Sequence, residues 1–213
     1  MQPVDTQPAP YPARLEIDYP DTLNRLTTAL RLVLAIPILM VISLVSGVRP
    51  TVFSGGDGDD NRVAIAGMIA LATALMILFR RRYPRWWFDF QCELARFAVR
   101  VGAYLALLTD RYPSTVERQG VHLEIDYPDV RGDLNRWLPL VKWLLALPHV
   151  LVLAPLAVAC LVAIAIAWFA ILLTGGYPRG LFDFVVGFAR WSLRVSAYAI
   201  LLVTDRYPPF SLR

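Results

Sequence analysis

Asp89, Glu93, Arg96 and Arg100 lie four, three and four residues apart, and much of the pattern returns as Asp183, Arg190 and Arg194. A helix advances about 100° per residue, so the first set falls at about 0°, 40°, 340° and 20°, one stripe roughly 60° wide. The second set occupies the same stripe, with Gly187 in place of the second acid. Acids come first and arginines last, which suits the helix dipole. Carboxylates and guanidinium groups in this order pair with each other or hold anionic groups. Covalent chemistry has weaker candidates. His149 sits beside Pro148 in an apolar run with no carboxylate within a turn or two. An ionisable residue there is a possible intramembrane polar site, although a packing or backbone hydrogen bond is the plainer expectation. His122 reads as a surface position. Ser43, Ser46 and Ser54 lack an evident base. "GGDGDDN" lacks the spacing and closing Glu of a calcium loop, and "TGGYPRG" reads as a helix cap and turn. Cys92 and Cys160 are the only cysteines, in unrelated settings, so neither a disulfide nor a metal site is expected. No cofactor is expected, and no catalytic residue emerges.

The elements that carry the stripes are duplicated. "LEIDYPD" occurs at Leu15–Asp21 and again at Leu123–Asp129, and "LAIP" (Leu34–Pro37) matches "LALP" (Leu145–Pro148). "YPRWWFDFQCELARFAVRVGAYLALLTDRYP" (Tyr83–Pro113) is answered by "YPRGLFDFVVGFARWSLRVSAYAILLVTDRYP" (Tyr177–Pro208). Copy one alone holds a polar insert, "VRPTVFSGGDGDDNR" (Val48–Arg62), between two apolar runs. In copy two the runs are nearly fused, with Pro155 near the join.

Composition points to a bilayer. Of 213 residues, 57% are hydrophobic and 18% charged, against about 45–50% and 25% in an ordinary soluble domain. Trp143–Leu173 is 31 residues without an acid, lysine or arginine, and Val63–Phe79 and Leu32–Val48 are 17 each. Such runs read as spanning segments. Residues 1–23 show no apolar core of signal-peptide length. The net charge of +4 fits a cytoplasmic face better than nucleic acid.

These signals predict an all-α membrane protein of two pseudo-symmetric repeats. Each is a transmembrane helical hairpin followed by an amphipathic interfacial helix, with short extended segments on the cytoplasmic face. A Pro-rich tail (1–13) precedes repeat one (14–113; spans about 26–47 and 62–80, interfacial helix about 85–108) and repeat two (114–213; spans about 136–154 and 156–174, interfacial helix about 180–203). The alternative for 143–173 is a single Pro-kinked helix, about 46 Å long, which would place the two halves on opposite faces. Arg31 and Lys142 are expected to snorkel toward headgroups. Tyr11, Tyr19, Tyr83, Tyr112, Tyr127, Tyr177 and Tyr207 all precede proline, and Tyr-Pro ends an element while setting a ring at the interface. "ARLEIDYP" and "GVHLEIDYP" alternate like short strands and are expected to pair with each other or with the TDRYP ends.

Parallel repeats are related by an axis along the membrane normal, which makes in-plane helices antiparallel. Inter-repeat salt bridges are therefore expected, Asp89 and Glu93 near Arg194 and Arg190, and Asp183 near Arg100. Arg85, Arg96, Arg100, Arg179, Arg190 and Arg194 are the expected lipid- or partner-binding residues.

"YPRGLFDFVVGFARWSLRVSAYAILLVTDRYPPF", with "LALPH", resembles the bacterial membrane family catalogued as domain of unknown function 4389, in two copies. Copy one departs from the pattern at Arg80–Arg82 and Trp86-Trp87, where small residues such as Thr174-Gly175-Gly176 are preferred. The resemblance implies a multi-span inner-membrane protein and carries over no catalytic residues. The functional expectation is a non-enzymatic accessory or scaffold, both termini cytoplasmic, engaging anionic headgroups or a membrane-protein partner and no nucleic acid. The alternative is a small transporter or lipid-handling protein with a site between the repeats.

Overall fold

A computed structural model describes residues 11–20, 22–46, 69–114, 120–130, 132 and 134–212. The insert 48–62 and Arg118 lie outside them. The chain is mostly helical. Strand β1 (Ala13–Ile17) leads to α1 (Arg25–Ser46). Helix α2 (Ile69–Arg80) ends in a π-turn over Met76–Arg80, and α3 runs over Arg85–Leu105. Copy two holds β2 (Val121–Ile125), a 3-10 turn at Leu138–Leu140, α4 (Lys142–Leu145), α5 (Leu147–Thr174) and α6 (Arg179–Ala199).

The two expected strands pair with each other, antiparallel, with Leu15 opposite Leu123 at the centre. Leu15, Leu123, Ala13 and Val121 point inward while Arg14, Glu16, His122 and Glu124 stay exposed, the period-two alternation of a half-buried ribbon. Each strand rests on the other copy's helix as well. Tyr19 Oη donates to Tyr177 O (2.5 Å), and Tyr127 Oη donates to Tyr83 O (2.5 Å). Tyr83 Oη reaches Leu201 O (2.9 Å), and Tyr177 Oη reaches Ala106 O (3.4 Å). Every one of these contacts is reciprocated, as a two-fold relation between copies requires. Four of the Tyr-Pro tyrosines thus staple the copies together, with Tyr83 and Tyr177 buried at 3% and 2% exposure, whereas Tyr112, Tyr127 and Tyr207 are exposed.

Helices α3 and α6 each follow a proline (Pro84, Pro178), which cannot continue a preceding helix, and each ends in a left-handed leucine, Leu107 (φ 65°) and Leu202 (φ 57°). That turn aims the following Thr-Asp back at the start of the copy. Helix α5 departs from the expected hairpin. It runs unbroken through Pro155, about 42 Å at 1.5 Å per residue. Proline removes one N–H, and no polar or glycine-rich stretch accompanies it to make a turn, so the helix continues. Along its length His149, Leu153, Leu156, Cys160, Ala163, Ala167 and Ile171 form a packed stripe. A four-residue turn then folds α6 back antiparallel, so that Trp191 on α6 meets His149 near the start of α5. The expected contrast between a spanning hairpin and a separate rod is replaced, in copy two, by two helices packed side by side.

Candidate functional site

Thr-Asp-Arg-Tyr-Pro closes both copies, and the structure shows why. Arg31, on α1, is 2% exposed. Its Nη1 donates to Tyr104 O (2.8 Å) and Thr109 O (3.0 Å), its Nη2 ion-pairs with Asp110, and its guanidinium lies 4.5 Å from the Tyr104 ring centre. Asp110 also accepts the backbone N–H of Asn24 (2.6 Å). Copy two repeats the device with a lysine. Lys142, 0% exposed, donates to Thr204 O (2.8 Å), sits 2.7 Å from Asp205 Oδ1 and 5.2 Å from the Tyr198 ring, and Asp205 accepts Asn135 N–H (2.5 Å). Snorkelling is therefore overturned for both cations. A buried cation is tolerated where a carboxylate and carbonyls replace its water, and the left-handed leucines deliver both. Sequence reasoning missed these clamps; the cue was a cation at the same place in both copies, facing a repeated Asp.

The charged stripes are formed, and they face the ribbon. Arg96 Nε donates to Leu123 O (3.4 Å) and Arg190 Nε to Leu15 O (2.9 Å). Arg100 Nη1 donates to Ser114 O (2.6 Å) and Arg194 Nη1 to Ser211 O (3.4 Å). Arg85 lies over the Tyr127 ring (5.0 Å) and Arg179 over Tyr19 (4.9 Å). All six arginines expected to bind lipid or a partner thus have intramolecular partners. The expected inter-repeat salt bridges do not form: Glu93 pairs with Arg96 of its own helix, and neither exposed Asp89 nor exposed Asp183 pairs with Arg100, Arg190 or Arg194. The ribbon lies over the stripes and supplies carbonyls, so the arginines satisfy backbone acceptors that burial would otherwise orphan. Gly187 explains the missing acid of copy two. A Cβ there would lie 2.7 Å from Leu212 O, because the final residues of the chain pack across α6.

His149 is fully buried. Trp191 Nε1 donates to its Nδ1 (3.2 Å), it stacks on Phe210 (ring centres 4.0 Å), and the Tyr207 ring lies tilted against it (4.7 Å). It belongs to an aromatic cluster that ties Tyr207 and Phe210 to α5, and no carboxylate among the described residues reaches it. Burial pushes the Cys92 thiol up to about 11, which leaves it a poor nucleophile. Among the described residues no group of His, Cys, Asp and Glu is placed to hold a metal.

Two concavities stand out. A cavity of about 850 Å³ lies between the copies, walled by Ala98 and Gly102 of α3, Cys160 and Ile164 of α5, and Phe188 and Ser192 of α6, and almost wholly apolar. A smaller groove, about 600 Å³, lies where α2 ends against the segment after β2.

The family described as Domain of unknown function (DUF4389) matches residues 63–117 and 137–211, together more than half of the chain. The chain belongs to this family and carries it as two tandem copies. No curated protein and no solved structure matches.

Proposed function

With that membership as premise, we propose that the chain is a non-enzymatic, multi-pass protein of the inner membrane, an accessory or scaffold whose polar, ribbon-bearing side meets anionic headgroups or a partner protein at the cytoplasmic face. The observation that carries this reading is α5. It is apolar all round, yet Leu151, Leu161, Phe169 and Leu173 are 77%, 68%, 61% and 78% exposed. A helix hydrophobic on every side belongs in a core or in lipid, and most of α5's surface lacks protein cover. At about 25 cal/mol per Å², such exposure in water is strongly unfavourable.

The side assignment rests on how the ends meet. Leu23 N–H donates to Gly175 O (3.0 Å), and Arg136 Nε donates to Leu78 O (2.6 Å). The start of each copy thus abuts the end of the other copy's apolar segment, and the β1–β2 ribbon joins the two junctions, which supports one side for all four ends and both termini over the opposite-face arrangement that a single crossing by unbroken α5 would give. Impermeant maleimide applied to Gly176→Cys and Ser211→Cys variants in intact spheroplasts tests it. Both sites are expected to stay unlabelled until the membrane is permeabilised; labelling of Gly176→Cys alone from outside overturns the assignment.

A second reading, lipid handling between the repeats, is favoured by the 850 Å³ apolar cavity. Its volume suits an acyl chain. Ala98→Trp would fill it, and lipid co-purified per chain in mild detergent is expected to fall; an unchanged count leaves the scaffold reading alone.

A further inference from the structure

We propose that the groove at the end of α2 binds the phosphate of an anionic phospholipid headgroup, and that this site exists in repeat one only. The inference rests on the membrane reading above and makes it specific. Arg80, Arg81 and Arg82 form one wall of the groove, and Tyr127, Pro128 and Asp129 the other. All three arginines are exposed, and none forms an ion pair among the described residues. They differ in this from Arg85, Arg96, Arg100, Arg179, Arg190 and Arg194, each of which is held by an intramolecular partner. Three guanidinium groups against the single carboxylate of Asp129 leave the groove cationic. A guanidinium fork matches phosphate geometry.

Location supports a lipid over a soluble anion. The groove opens where an apolar helix ends, and Met76 and Val130 add apolar surface to it. Trp86, 69% exposed, follows within one turn of α3, the aromatic-next-to-basic arrangement found at headgroup level.

The comparison with copy two is the sharpest argument. Tyr83 and Tyr177 align, so Arg80, Arg81 and Arg82 stand where copy two has Thr174, Gly175 and Gly176. Gly175 closes α5 in the left-handed region (φ 80°), and Arg81 closes α2 in the same region (φ 47°). Glycine adopts that conformation freely and arginine does not. Copy one therefore holds a strained residue where a glycine serves its twin, and what the strain delivers is a third guanidinium in the groove. Strain retained at one of two equivalent positions points to a function.

The twin supplies the test. Arg81→Gly installs the residue that the other copy already uses, so the variant is expected to melt at an equal or higher temperature. The full chain is reconstituted in nanodiscs of phosphatidylcholine with increasing phosphatidylglycerol, and bound lipid is counted by mass spectrometry after re-extraction. A basic residue near the surface contributes about fivefold in affinity for anionic lipid. Arg81→Gly is expected to weaken phosphatidylglycerol retention about fivefold, and the triple Arg80→Gln, Arg81→Gln, Arg82→Gln variant about a hundredfold. Retention unchanged in Arg81→Gly overturns the site. A lowered melting temperature with retention intact overturns it too, and leaves the arginines a role only at the C-terminal end of α2. In a second arm, wild type in phosphatidylcholine alone is titrated with inorganic phosphate at constant ionic strength, followed by tryptophan fluorescence. Saturation by phosphate without any preference for phosphatidylglycerol assigns the groove to a free anion and overturns the headgroup. A wild-type chain that never enters the lipid fraction overturns the membrane reading with it, and is scored before any lipid titration.

Discussion

Copy one locks its first helix with arginine and copy two with lysine, yet Asp110 and Asp205 stand in the same place and the carbonyls of Thr109 and Thr204 answer both. At the junction before α3 and α6 the copies part, three arginines against Thr-Gly-Gly. Between the apolar runs they part again, with a polar insert in one and an unbroken α5 in the other. The pattern teaches where the duplicated architecture is constrained. A buried cation has to find a carboxylate, so the clamp persists through a change of cation. An exposed junction carries no such demand, and there one copy carries three arginines and the other none.

The largest effect that would break this comparison is at the clamp. Lys142→Met leaves Asp205 without its cation, and Asp205→Asn leaves the lysine without its anion. Removing one partner of a buried pair costs about 3–5 kcal/mol, expected as a large fall in detergent melting temperature for either variant. The conservative Lys142→Arg, which imports copy one's cation, is expected to retain most of the stability. An intermediate effect is expected at the tail contact. Gly187→Ala puts a methyl into the Leu212 carbonyl and should cost about 1–3 kcal/mol by overcrowding, while the matching Glu93→Ala is expected to fall within about 0.5 kcal/mol because its position is exposed. Proteolysis at the C-terminus should accelerate in Gly187→Ala alone. Smaller again is the pair Tyr83→Phe and Tyr177→Phe, each removing a hydrogen bond that joins the copies. About 1 kcal/mol each is expected, with Tyr83→Phe the larger because its hydroxyl also meets Gln91 Oε1 (2.6 Å). Smallest are Asp89→Ala and Asp183→Ala, expected within about 0.5 kcal/mol; a cost of several kcal/mol at either would restore the inter-repeat salt bridges.

Much of the architecture is legible in short stretches of sequence. Tyr-Pro marks the starts of α3 and α6, and the expected helices over 85–108 and 180–203 are found at Arg85–Leu105 and Arg179–Ala199. The alternation in "ARLEI" and "VHLEI" marks both strands. The repeat itself foretold a reciprocal arrangement. These are signals of local period and backbone restriction, written within a turn or two of the residues they govern.

Partner choice is of another kind. The stripe on α3 announces charge, but whether Arg96 would meet a carboxylate or the carbonyl of Leu123 depends on which element covers it. Arg31 in an apolar helix reads as a snorkelling residue until Asp110, 79 positions away, is folded onto it. Pro155 reads as a break until the stripe from His149 to Ile171 is seen packed along its whole length. By itself the sequence determined two copies, helices α3 and α6, both strands and an excess of apolar residues, because periodicity and proline act on neighbouring residues. Only the tertiary structure decided which carbonyls take the arginines, which cations are buried and which guanidinium groups have no ion pair among the described residues, because a buried polar group takes whatever partner the folded chain brings within about 3 Å.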